Sequence, residues 1–165
     1  MAYSGEYLTA CGVVVIDFSS VEVIAVSGDG INVCGHLLLR VNSGGGYYLH
    51  VAGLKDYPKY MTESGYSRYL KENKKKELNR ISTKLSNPKA AYVKFEELLA
   101  EKWTWLLVPN NCVTFVEEIL KAGGNEWASL SNCPAVATQD SLVTRANRLY
   151  IKLESMGYSH YGVVR

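Results

Sequence analysis

Three residues in this chain have the types and surroundings that nucleophilic chemistry needs: Cys112, His36 and His50. Cys112 is followed by Phe115, Val116, Ile119 and Leu120. The spacing places all five on one face of a predicted helix, with Glu117, Glu118 and Lys121 on the other side. Asn111 is positioned as the N-cap, Pro109 blocks a helix running in from upstream, and Gly123-Gly124 is a stop signal. A thiol at a helix N-terminus lies near free backbone N–H groups and the positive end of the helix dipole. That environment favours the thiolate, and the same N–H groups can stabilise an oxyanion after the sulfur attacks a carbonyl. The plainer reading is a small apolar residue on a core-facing helix.

The histidines lie in a predicted hairpin. Residues Ile31–Val41 and Tyr47–Val51 read as strands, joined by the loop Asn42-Ser43-Gly44-Gly45-Gly46. A five-residue loop sets Val41 opposite Tyr47 and Leu38 opposite His50. Because side chains alternate with period two, His36 and Leu38 then share a face, and both imidazoles point to the same side of the sheet. Leu37, Leu39 and Val41 would form the other face with Tyr47, Leu49 and Val51. A register slip of one residue would separate the imidazoles. Each histidine taken alone reads as a satisfied core residue; two on one face of one hairpin point to a site.

Further elements must carry this hairpin and helix. Tyr7–Ile16 and Val21–Val26 read as strands joined at Asp17–Ser20, and Ser27-Gly28-Asp29-Gly30 as a turn. Gly53–Gly65 reads as an irregular surface loop. Tyr66–Leu85 carries Tyr66, Tyr69, Leu70, Leu78, Ile81 and Leu85 at helical spacing, with Lys74-Lys75-Lys76 as a solvated stretch of that helix, until Asn87-Pro88 breaks it. Tyr92, Phe95, Leu98, Leu99 and Lys102 suggest a short helix, and Trp103–Val108 an extended approach to Cys112. Trp103 and Trp105 could line a cleft or pack in the core. Beyond a loop holding Trp127, Cys133 and Pro134, the residues Leu142, Ala146, Leu149, Tyr150 and Leu153 mark a final helix. Asp140 or Ser141 would cap it and Gly157 would stop it. His160 falls in the tail and is assigned no catalytic part.

The whole chain supports one domain, residues 1–165, of α+β class. A net charge of +2 argues against a nucleic-acid partner. No apolar run reaches the roughly 18 residues of a membrane span. The N-terminus has no basic region, and Asp17 and Glu22 interrupt its apolar stretch, so no secretory signal is expected. The protein would be made in the cytoplasm and stay there, or leave by a route without a cleaved leader. Of the four cysteines, none lie in a C-x-x-C pair. With Cys112 set aside as a nucleophile, Cys11, Cys34 and Cys133 remain, an odd number that argues against a full disulfide framework. Cys34-Gly35-His36 could offer two metal ligands, but no second pair follows at structural-zinc spacing, and no metal or other cofactor is expected.

The motifs Gly35-His36-Leu37, Tyr48-Leu49-His50-Val51 and Asn111-Cys112-x-x-Phe115-Val116, histidines first and cysteine last, resemble the circularly permuted papain-like fold of the NlpC-type superfamily. That group includes lecithin retinol acyltransferase-like proteins and bacterial cysteine hydrolases. The resemblance rests on residues 31–53 and 108–124. It implies an antiparallel sheet packed against a helix carrying the nucleophile, with Cys112 as nucleophile, His36 as base and His50 as its orienter. It further implies a cysteine hydrolase acting through a thioester acyl-enzyme, with peptidoglycan peptides as the favoured substrate. A secreted antibacterial effector, with an immunity or inhibitor protein as partner, fits that reading. An acyltransferase or phospholipase with the same residues is the alternative. Val113-Thr114 stand where the lipid-acting members tend to carry an acidic residue and a histidine, and no apolar tail is seen to hold the chain on a membrane. A non-catalytic binding domain is the third reading.

Overall fold

The structure, a computed structural model, describes residues 2–8, 16–28, 34–53, 55–103 and 111–125. They form a six-stranded antiparallel sheet with helices on both faces. The strands are β1 (Glu6–Tyr7), β2 (Ser20–Val26), β3 (His36–Val41), β4 (Tyr47–His50), β5 (Lys59–Met61) and β6 (Glu77–Lys84). The helices are α1 (Glu63–Glu72), α2 (Pro88–Leu99) and α3 (Cys112–Ala122). The sheet order is β1-β5-β4-β3-β2-β6, so β3, which opens on His36, lies inside the sheet. No described helix is long and apolar enough to cross a membrane.

Alternation along β2 and β3 builds two cores. Val21, Val23, Ala25, Leu37, Leu39 and Val41 join Leu49, Val51 and the apolar sides of α2 and α3 in the larger cluster. Ile24, Val26 and Leu38 join Tyr48, Met61, Tyr66 and Tyr69 in the smaller one, under α1. Burial on both faces explains the near-continuous apolar runs Val-Ile-Ala-Val of β2 and Leu-Leu-Leu of β3. The hairpin register is the predicted one: Val41 pairs with Tyr47 and Leu39 with Leu49. Ser43–Gly45 close it as a short 3-10 turn, with Gly44 at φ 57, a left-handed conformation suited to glycine.

Two helices begin and end where capping chemistry places them. Asn111 Oδ1 accepts from the backbone N–H groups of Val113 and Thr114 at 2.9 and 3.0 Å, satisfying donors that a helix start leaves open. Asn87 Oδ1 caps α2 through the Ala90 N–H at 3.1 Å, and Pro88 occupies the first turn. Gly123 and Gly124 close α3, Gly124 at φ +83.

Two expectations need correcting. Residues 53–65 are not an irregular loop: they hold β5 and the capped start of α1, where Thr62 accepts from the Gly65 N–H. Residues 66–85 are not one helix. α1 ends at Glu72, Lys74 takes a left-handed φ of 53, and Glu77–Lys84 pairs along β2 as β6. Leu78, Ile81 and Leu85 fit helical spacing, but Asn79, Ile81 and Thr83 alternate with exposed neighbours at period two. Lys74-Lys75-Lys76 therefore lies in the connection between α1 and β6. At the chain start, β1 is Glu6–Tyr7 and most of the predicted strand 7–16 lies outside the described residues, as do residues 31–33, 104–110, Trp105, Trp127, Cys133, the predicted final helix and His160.

Candidate active site

The hairpin positions the imidazoles as its register requires. His36 and His50 are 4% and 0% exposed, on the face of the sheet that meets α1. His36 Nε2 and His50 Nδ1 are 2.8 Å apart. His50 Nε2 lies 3.0 Å from the backbone carbonyl oxygen of Ser4. A carbonyl can only accept, so the neutral His50 carries its proton on Nε2. His50 Nδ1 is then the acceptor, His36 Nε2 the donor, and the lone pair of His36 is left on Nδ1. This is a directed hydrogen-bond chain, His36 to His50 to Ser4. The Tyr69 ring packs edge-on against His50 at 5.7 Å.

Both rings are neutral at ordinary pH. Burial pushes His36 well below its usual 6.5, and the neighbouring His50 and Lys75 add to that. Burial, opposed by the Ser4 carbonyl and helped by Lys59, brings His50 down to about 4. Lys59 is itself held by Asp56 at 3.0 Å and by Ser4 Oγ at 3.1 Å.

Cys112 stands at the start of α3 as predicted, and it is a free thiol. It is 5% exposed, in the apolar cluster with Leu37, Leu39, Phe115 and Val116. Burial raises its pKa, and that outweighs the backbone N–H groups of Leu37, Val113 and Cys112 itself, which lower it. Burial of the sulfur thus works against the thiolate that the helix start favours, and burial is the larger effect.

The three predicted site residues are therefore brought together only in part. His36 and His50 form a contact pair. Cys112 approaches the same strand at the adjacent residue, Leu37, but from the side of the sheet opposite the imidazoles. The parity that puts His36 beside His50 also turns it away from α3, which docks on Leu37 and Leu39. A sheet packed against the cysteine helix unites the three residues only if that helix meets the histidine face; the apolar residues of β3 and β4 claim it for the other face.

Three participants were not anticipated. Ser4 acts through its backbone, which leaves no mark in residue type. Tyr69 was visible as part of an apolar helix face, without its partner. Lys59 gave no signal, because β5 itself was read as loop. Trp103 takes the core reading: its indole N–H donates to the Leu98 carbonyl at 3.1 Å and its ring packs on Phe115. Cys34 is disulfide-bonded, so the Cys34-Gly35-His36 stretch is not a pair of metal ligands. Among the described residues, no group of three His, Cys, Asp or Glu side chains could hold a metal ion. No protein-family model, curated protein or solved structure matches this chain.

Proposed function

We propose that this chain is a cysteine hydrolase of the papain-like type, cutting an amide bond in a peptide through a thioester acyl-enzyme, with cell-wall peptides as the favoured substrate class. The observation that carries this reading is the hydrogen-bond chain of the hairpin: His50, fixed by the Ser4 carbonyl, orients His36 and leaves Nδ1 as a base. Cys112 would supply the nucleophile, one residue along the strand from that base. Its proton would pass to His36 Nδ1 as sulfur bonds to the carbonyl carbon. The same proton would then go to the leaving amine, and water would resolve the thioester. The reading requires the His36 side chain to leave His50 and swing round the start of β3 to the α3 side, where Gly35 at φ 74 precedes it, so that His50 holds the base only in the resting arrangement. A disulfide at Cys34 suits an oxidising compartment and therefore an exported protein.

A second reading has an observation of its own. The burial of Cys112 in an apolar cluster, with a raised pKa, fits a structural thiol in a non-catalytic binding domain. Alkylation separates the two. The hydrolase reading expects Cys112 to react with iodoacetamide faster than a small-molecule thiol at pH 7, and to slow at least ten-fold in His36→Ala. Directed to a bacterial periplasm, the native chain should lyse cells and Cys112→Ala should not. Slow alkylation indifferent to His36, with equal toxicity of both chains, would reject the hydrolase. Labelled phospholipid leaving an acyl group on Cys112 would move the substrate from peptide to lipid.

A further inference from the structure

Residues Tyr3–Leu8 lie as a strap across β5 and the C-terminal end of α1. Glu6 and Tyr7 pair with Tyr60 and Lys59. The Tyr3 N–H donates to Glu72 at 2.8 Å, and Asn73 Nδ2 donates to the Tyr3 carbonyl at 2.8 Å. The Arg68 guanidinium lies 4.4 Å from the centre of the Tyr3 ring. Gly5 passes so close to β5 that a Cβ would meet the Tyr60 carbonyl oxygen at 2.8 Å, and its φ is +96. Between these ties stands the Ser4 carbonyl, on the His50 proton.

We propose that this strap is an acid-released latch: protons taken up by the His36–His50 pair detach residues 3–8 from β5 and α1 and uncover the imidazoles. The inference goes beyond the thiol chemistry and holds whether or not Cys112 is a nucleophile. In the closed strap three ring nitrogens are committed and His36 Nδ1 is left to take a proton; the Ser4 carbonyl itself favours a charged His50, so it is burial of the charge, and not loss of that bond, that opposes the closed state. One added proton puts a positive charge in a buried place. The charged and titratable groups facing it are Lys59 from β5, Lys75 from the connection after α1, and Tyr69 from α1; Asp56 is already engaged by Lys59. A second proton sets two N–H donors against each other across 2.8 Å. Opening the strap lets water reach the charge. Each pH unit between the solvent value of 6.5 and the closed-state value of about 4 for His50 then favours release by up to about ten-fold per proton.

The test is amide hydrogen exchange on the full chain from pH 7.5 to 4.5, corrected for intrinsic exchange, together with NMR of the imidazole nitrogens. Protection at Tyr7 and Tyr60 should fall at least ten-fold as the rings titrate, while the β2–β3 ladder stays protected. His50→Gln, whose amide can still donate to Ser4 but does not titrate, should keep the strap protected at pH 4.5. Gly5→Val, incompatible with both the φ and the close approach, should free the strap at pH 7.5 and return the rings toward ordinary titration near 6.5. Strap protection that ignores ring titration, loss of the strap together with the whole sheet, or unchanged ring titration in Gly5→Val would each overturn the latch.

Discussion

His50 is the residue on which three segments converge: β3 through His36, the N-terminal strap through Ser4, and α1 through Tyr69. Its orientation follows from one carbonyl, and the direction of the whole chain of protons follows from its orientation. Asn111 holds a comparable position at the other candidate residue, since one side-chain oxygen satisfies the N–H groups of both Val113 and Thr114. Asn111→Ala should lower stability by about 1 kcal/mol, measured by urea unfolding. It should also raise exchange at the first turn of α3 before the rest of the helix. The imidazole pairing was legible from residue types and a five-residue loop, because a period of two leaves few choices. The partner of His50 beyond the hairpin was not, because a backbone carbonyl is the same in every residue.

At the level of elements, α3 was readable from end to end, because its apolar spacing, cap and double glycine agree. The stretch 66–85 was not. Its apolar residues suit both periods, and the deciding fact is the long antiparallel ladder with β2, a contact between residues nearly sixty positions apart that no local pattern contains. The Arg80–Glu22 ion pair across that ladder belongs to the same class of information. The α3 terminus offers a sharper check. A Cβ on Gly124 would come within 2.0 Å of the Ser86 Oγ, and its φ is +83. Gly124→Ala should therefore destabilise the junction between β6, α2 and α3 by about 1–3 kcal/mol, seen as a lower urea midpoint. A midpoint equal to that of the native chain would show that the turn relaxes at no cost.

For the molecule as a whole, titration should weaken the fold in two stages. His36 and His50 have depressed folded-state values, so the unfolded chain binds more protons than the folded one below 6.5. Stability is complete above that value and declines as pH falls toward about 4. The carboxylates follow. Burial alone would raise Glu63, but Tyr48 and Arg40 outweigh it and hold it below 4.5, and Arg80 does the same for Glu77. Their contribution is present above 4.5 and is lost as pH drops through their lowered values. Urea midpoints measured from pH 8 to 3 should show the first decline vanish in a His36→Phe, His50→Gln chain and the second persist. Among the described residues the two clusters share no side chain, so the sheet also acts as a wall: neighbours on β3 are next to each other along the chain yet live in separate chambers. Exchanging them, His36→Leu with Leu37→His, would move an imidazole through the wall and set it where the N–H of residue 37 already meets the sulfur. Faster alkylation in the exchanged protein than in the native one would show that reactivity in this fold is a matter of which chamber a ring inhabits. No gain in rate would place the barrier in the chamber itself, in its dryness and not in its missing base.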